Sequence, residues 1–372
     1  MISLIESYDV GSLPFSGDFN KFLEGAKSHL DSESWVYFEQ KVVESFLAKI
    51  KAGIDVPNFP QFRDMMEMFL GVLDGIQRSR GGYVVLEPIR VRSDKLLIPE
   101  VRAIRRAANR IYEQVNGIVK LKICITGPYT LSTVFSPEVD RTWLIEQLGE
   151  TLAKIAGENV FKDKKVGVEI VSMDEPILGL IDDPLLDYGS RTRDVLLKAW
   201  DKIFSECKSR GAITCIHLHS TANKIFWDLE FLDIVESHVG DPIYSSPGIK
   251  SLLEERDMFL KASIARTDFD ALIREQIVKS CKNDLTIEEK MGEIWRRIKK
   301  SEIDPAQFLE NTSVLVKRLE RVLDLFGPER VKFAGPECGL RSFPSYKCAI
   351  ECLKRVAEAV KTINKTLGSS PA

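Results

Sequence analysis

The sequence lacks most of what would place it in a membrane, on a nucleic acid or outside the cell. No uninterrupted apolar run approaches the ~20 residues needed to cross a bilayer. The opening residues Met1-Ile2-Ser3-Leu4-Ile5-Glu6 have no basic region and no long apolar stretch, so no secretory signal is expected. Seven cysteines, odd in number and scattered over 372 residues, make no disulfide framework and suit a reducing cytosol, so a cytoplasmic location is expected. An excess of one charge is missing too: 52 Lys+Arg against 55 Asp+Glu leave −3, which makes nucleic acid an unexpected partner. No repeat, low-complexity stretch or dividing linker is visible, so residues 1–372 are expected to form one domain, with Gly368-Ser369-Ser370-Pro371-Ala372 as a frayed tail. Histidine is scarce. There are four, and three of them fall between positions 217 and 238.

What is present is ordinary globular material, 44% hydrophobic and 29% charged, enough for a large core. Short apolar, β-branched runs lie at 2–9, 82–87, 120–126, 167–173, 212–218, 231–236, 259–265 and 330–334. Amphipathic stretches such as 40–51, 143–156, 194–208 and 346–363 separate most of them. Strands alternating with helices imply parallel pairing, because parallel strands need crossover connections. Eight such strands predict an α/β fold, a (β/α)8 TIM barrel. Residues 13–80 and 269–328 are too long for minimal connections and predict extra helices after strand 1 and before strand 8.

In such a barrel the chemistry sits at the C-terminal ends of the strands. The unusual polar residues of this chain fall there: Gly11-Ser12-Leu13-Pro14, Thr126-Gly127-Pro128, Asp174-Glu175-Pro176, His217-Leu218-His219, Glu236-Ser237-His238 and Pro336-Glu337-Cys338. His217 and His219 stand two apart on a strand and point to one side. Imidazole, thiolate and carboxylate together suit zinc. The bland alternative is a pair of hydrogen-bonded barrel histidines with Cys338 as a small buried residue. Glu236 and Cys338 on neighbouring strand ends favour the metal.

The remaining candidates carry less. Cys124, Cys207 and Cys281 read as packed or incidental, and Cys348 and Cys352 share a helix face at core spacing. Cys215 is in phase with His217 but one layer deeper. Asp174 and Glu175 could pair as acid and base, yet adjacent strand residues face opposite sides, so only one can reach the mouth; Asp174 is the better binding candidate. Asp174-Glu175-Pro176 also reads as a simple turn. Glu67 lies on a helix, where an exposed charge is the default.

These motifs resemble the catalytic domain of the cobalamin-independent methionine synthases. Gly11-Ser12-Leu13-Pro14 is similar to that family's Gly-Ser-Phe-Pro, and Asp64-Met65-Met66-Glu67-Met68-Phe69 to Asp-Met-Val-Glu-Tyr-Phe. Gly127-Pro128-Tyr129-Thr130 resembles Gly-Pro-Val-Thr, and Met173-Asp174-Glu175-Pro176 resembles Ile-Asp-Glu-Pro. Glu236-Ser237 is similar to Glu-Thr-Ser, and Pro336-Glu337-Cys338-Gly339-Leu340 to Pro-Asp-Cys-Gly-Leu, all in family order. The resemblance implies that Ser12, Glu67 and Asp174 bind the amino-acid part of homocysteine. It implies that His217, Glu236 and Cys338 ligate zinc, with His219 standing where the family's His-x-Cys pair has its cysteine. No catalytic group beyond the zinc site is implied, because the homocysteine thiolate itself attacks the methyl group.

Three departures shape the expectation. His219 replaces a thiolate; matching it instead to the family histidine would put Thr221 at the cysteine position. The chain has no room for the second, N-terminal barrel of the full-length family. The family's Asp-x-His after strand seven has no counterpart around Ser263-Ile264-Ala265-Arg266-Thr267-Asp268. A methylcobalamin-type donor, on a corrinoid partner protein or free, is therefore expected over a methylated folate. Competing readings are a zinc alkyltransferase for another thiol such as coenzyme M, a His-x-His metal hydrolase, and a metal-free barrel. The hydrolase reading is short of ligands, since His238 is the one histidine left beside the pair.

Overall fold

The computed structural model describes residues 4–280 and 286–369; Cys281 and the ends of the expected first strand and C-terminal tail lie outside them. Nine strands are described: β1 (Glu6–Ser7), β2 (Leu73–Ser79), β3 (Gly82–Val91), β4 (Val119–Thr126), β5 (Val166–Asp174), β6 (Ile213–His217), β7 (Ile234–Glu236), β8 (Phe259–Ala265) and β9 (Val331–Pro336). Seven of them form one parallel sheet in the order β1-β9-β8-β7-β6-β5-β4. Strands β4, β5 and β6 are almost wholly buried, as expected of parallel strands covered by helices on the outside.

The two edges of this sheet meet across residues 56–61. Tyr8 bridges to Val56 and Ser12 to Gln61 on one side, and Asn58 bridges to Lys122 on the other, all in parallel sense. The result is an α/β, TIM-barrel-like fold. Lys49, from the helix Glu33–Lys51, locks this seam: its buried Nζ donates to Asp9 Oδ2 at 2.6 Å, Gly11 O at 2.9 Å and Asn58 O at 3.0 Å. Asp9 Oδ1 in turn accepts from Asn58 N at 2.8 Å.

The run 82–87 is not a barrel strand. It belongs to β3, which pairs antiparallel with β2 in a hairpin outside the barrel sheet. Alternating residues serve a hairpin as well as a barrel, and the two-residue turn Arg80-Gly81 closes this one. The long connections hold the expected helices: Phe19–Gly25, Glu33–Lys51 and Met65–Leu70 after β1, and Phe269–Ser280, Ile287–Lys299 and Thr312–Phe326 before β9. Side-chain caps start several of the barrel helices, Ser32, Asp140 and Ser190 each accepting from first-turn amides. Among the described residues, no helix is long and apolar enough to cross a membrane.

Strand register sets the site. Thr126 pairs with Asp174, Asp174 with His217, and His217 with Glu236. One row of polar residues thus crosses the C-terminal edge of four neighbouring strands.

Candidate metal centre

His217 closes β6, and His219 follows it in phase. His238 stands two residues past the end of β7, and Cys338 two past the end of β9. One donor atom from each of these four lies within 4.8 Å of the others. Cys338 Sγ is 3.5 Å from His219 Nε2 and 3.8 Å from His217 Nε2. Donor atoms around a tetrahedral zinc stand roughly 3.3–3.8 Å apart, given Zn–N of about 2.0 Å and Zn–S of about 2.3 Å. His238 Nε2 is buried without a hydrogen-bond partner. A buried, unpartnered ring nitrogen on one member of a group of three imidazoles and a thiol fits a borderline-soft divalent cation.

Without a metal ion, the thiol and the imidazole beside it hold each other in their charged forms, and a cation would take the place of the ring proton. Burial pushes the Cys338 thiol up, but the imidazoles of His217, His219 and His238 outweigh it and hold the group well below the ordinary thiol range. Burial lowers His217, while Cys338 and Glu236 more than offset this and carry it up to about 10.

Loop clamps fix the donors. The Glu337 carboxylate accepts from Val239 N at 2.8 Å and from Thr267 N at 2.7 Å, joining the loops after β7, β8 and β9 beside His238 and Cys338. Asp241 accepts from Thr221 N and Ser237 Oγ, at 2.8 and 2.9 Å, and from the Thr221 hydroxyl. That contact takes the Thr221 side chain to Asp241; Thr221 is not a member of the His/Cys group.

Glu236 is placed otherwise than expected. It is fully buried and outside the group of four. Its Oε1 lies 3.2 Å from His217 Nδ1, and its Oε2 lies 2.7 Å from Lys261 Nζ and 3.1 Å from the Tyr8 hydroxyl. Burial pushes this carboxyl up, yet Lys261, His217 and Lys122 hold it well below the usual carboxylate range. His238 therefore occupies the position beside the histidine pair and Cys338 that the sequence reading gave to Glu236. The signal for it was available, since His238 follows Glu236 at the same spacing that joins His219 to His217.

Ser12 and Asp174 lie close by. A Cβ on Gly339 would come within 2.0 Å of Ser12 Oγ, so only glycine lets Ser12 pack against the residue after Cys338. Asp174 is buried, accepts from Ser172 Oγ at 2.9 Å and sits beside His217; burial raises its carboxyl while His217 and Lys122 oppose the rise. Glu175 faces the other way. Its carboxylate accepts from Tyr129 N, Thr130 N and Trp200 Nε1 at 3.0, 2.7 and 2.8 Å, capping the short helix Pro128–Ser132. It is thus no acid–base partner of Asp174.

Glu67 is exposed, and its Oε1 is taken by Arg78 Nη1 at 3.0 Å and the Tyr83 hydroxyl at 2.9 Å, both from the β2–β3 hairpin. Cys215 lies below His217 with its thiol 3.5 Å from the Tyr8 hydroxyl, and Cys124, Cys207, Cys348 and Cys352 are buried. A cavity of about 390 Å³ beside the centre is lined by His238 and Cys338 together with Asp268, Asp270 and Trp295.

No protein-family model matches the chain, and no curated protein sequence matches it. Solved structures do. The chain is similar to a B12-independent methionine synthase from Shewanella sp. W3-18-1 in complex with selenomethionine, with a TM-score of 0.65 and 15% identity over 99% of this chain and 100% of that one. It is similar to a structural-genomics target from Listeria monocytogenes, provisionally assigned as a vitamin-B12-independent methionine synthase (TM-score 0.57, 13% identity, 98% and 99% covered). A methyltransferase from Methanosarcina mazei also matches, with a TM-score of 0.54 and 15% identity over 96% and 95% of the two chains. At these identities the likeness is one of fold.

Proposed function

We propose that this protein is a zinc-dependent methyltransferase that moves a methyl group to the thiol of homocysteine, forming methionine. The observation that carries the reading is the convergence of three imidazoles and a depressed thiol at the C-terminal end of a barrel. The folds it resembles are those of proteins described as methionine synthases and a methyltransferase, which supports the same chemistry.

His217, His219, His238 and Cys338 are the residues to hold the ion. When bound, zinc supplies the positive charge that keeps a substrate thiol ionised at neutral pH. The protein's remaining task is positioning. Ser12 and Asp174, beside the centre, are placed to meet the amino-acid part of homocysteine. The acidic wall of the adjoining cavity, Asp268 above all, is suited to its ammonium group. The donor in this reading is a methylated corrinoid, free or on a partner protein, with a methylated folate second, and the setting is a reducing cytoplasm.

A second reading is favoured by one observation. Glu67, the other carboxylate expected to hold the ammonium, is already paired with Arg78. That pairing takes one expected carboxylate away from an ammonium, which suits a thiol without one, such as coenzyme M. Purified protein with zinc should convert homocysteine and methylcobalamin to methionine, and Cys338→Ala should stop it. Methyl transfer to coenzyme M but not to homocysteine would replace the substrate; zinc bound with transfer to neither would end the methyltransferase reading.

A further inference from the structure

We propose that Glu236 is not a donor to the metal but the positioning residue for His217, itself held by Lys261 and Tyr8. This rests on the metal-centre reading above and goes beyond it by assigning a buried relay behind the donor set.

The geometry leaves Glu236 little freedom. Both carboxylate oxygens are engaged, Oε1 with the His217 ring and Oε2 with Lys261 Nζ and the Tyr8 hydroxyl, and the side chains of Glu236 and Lys261 are both fully buried. Turning the carboxylate toward a metal would strand the Lys261 ammonium in the barrel interior without its counter-ion. Breaking a buried pair in that way is strongly destabilising, because it leaves an uncompensated charge in the interior. The contact to His217 also sorts its two nitrogens. In the neutral ring that a metal requires, a proton kept on Nδ1 by Oε1 leaves the lone pair on Nε2, the nitrogen 3.8 Å from Cys338 Sγ. A carboxylate on the far nitrogen of a metal-binding histidine fixes ring orientation and makes the ligand more basic.

Lys261 extends the relay to the thiol side. Its Nζ also donates to Pro336 O at 2.6 Å and Ser263 Oγ at 3.2 Å. Pro336 ends β9, two residues before Cys338, so one ammonium braces the end of β7 that carries Glu236 and the end of β9 that leads to Cys338. The Tyr8 ring lies under it, with Lys261 Nζ 5.4 Å and Lys122 Nζ 5.0 Å from the ring centroid. The donor position left by Glu236 is filled by His238, whose Nε2 has no other partner.

The test uses the full chain loaded with cobalt(II) for its visible spectrum and with zinc for X-ray absorption. Wild type should show three nitrogen ligands and one sulfur. Glu236→Gln should keep that count and the same d–d band pattern while binding metal ~10–100-fold more weakly. Loss of an oxygen ligand or a changed band pattern in Glu236→Gln would make Glu236 a ligand and overturn the proposal. Unchanged affinity per folded molecule would overturn it equally, because a merely structural residue lowers stability without touching affinity. If Glu236→Gln does not fold, Tyr8→Phe keeps the ion pair and should weaken binding roughly threefold with the same spectrum, the worth of one modest hydrogen bond; wild-type affinity there would sink the relay. A wild-type protein that shows no sulfur-to-cobalt charge transfer and no zinc–sulfur ligation fails one step earlier, at the metal centre itself.

Discussion

Lys49–Asp9 and Lys261–Glu236 are the same chemistry in two parts of one barrel. Each is a fully buried ammonium within 2.6–2.7 Å of a carboxylate, and Lys49 also donates to two backbone carbonyls and Lys261 to one. What differs is the carboxylate's other partner. Asp9 accepts from the backbone of Asn58, so its pair joins helix Glu33–Lys51, the chain after β1 and the 56–61 seam. Glu236 accepts from an imidazole that faces a thiol. A buried ion pair is weak evidence of net stabilisation, and the comparison indicates what each is kept for. One ties the two edges of the sheet together at residues 56–61, and the other orients the His217 ring.

Predictions follow from that contrast. The largest effect belongs to the donor itself: Cys338→Ala should reduce methionine formation to background and remove the metal–sulfur ligand, read by product assay and X-ray absorption. Lys261→Met and Lys49→Met should each cost about 3–5 kcal/mol in urea unfolding, since each leaves a buried carboxylate unpaired. The two should then part. Zinc affinity per folded molecule should fall in Lys261→Met and stay within about twofold of wild type in Lys49→Met. Equal affinity losses in both would erase the distinction drawn between the pairs.

A smaller effect is expected at the cavity wall. Asp268 accepts from Ala271 N at 2.9 Å at the start of helix Phe269–Ser280, a contact that asparagine can keep. Asp268→Asn should therefore raise KM for homocysteine roughly fivefold, about 1 kcal/mol for one exposed charge contact, with kcat little changed. An unchanged KM would move ammonium binding elsewhere. The smallest change concerns acidity. In metal-free protein, alkylation of Cys338 followed by peptide mass mapping should slow less between pH 8 and 6 than that of an ordinary thiol, because its pKa is held down. An ordinary thiol would slow by more than tenfold at the lower pH.

The sequence made some of this legible and hid the rest for identifiable reasons. β4, β5, β6 and β8 lie within a residue or so of the expected 120–126, 167–173, 212–218 and 259–265, because buried parallel strands are continuous apolar runs. The stave between β1 and β4 was invisible. Val56-Pro57-Asn58-Phe59-Pro60-Gln61 carries two prolines and no β-branched alternation, and it is held by single bridges and Lys49 rather than by a full ladder. The run at 82–91 drew the assignment instead. Strand-end position and phase singled out His217, His219 and Cys338, and the fold brings these three together. Glu236 and His238 share a phase as well, and nothing in a one-dimensional pattern shows that Lys261 claims the carboxylate. Glu67 resembles a family position, but its pairing depends on a hairpin whose approach the sequence does not reveal.

The pairing of two-residue β1 with β9 carries a consequence for synthesis on the ribosome. Cys338 follows His238 by 100 residues, so at ~5–20 residues per second the three imidazoles emerge about 5–20 s before the thiol. β1 finds its sheet partner only when residues 331–336 arrive. Until then the nascent chain offers a trio of histidines on an open sheet, and the group of four is complete only with the final stave. Stalled chains ending before residue 330 should accordingly fail to retain zinc through a gel-filtration step that completed chains survive.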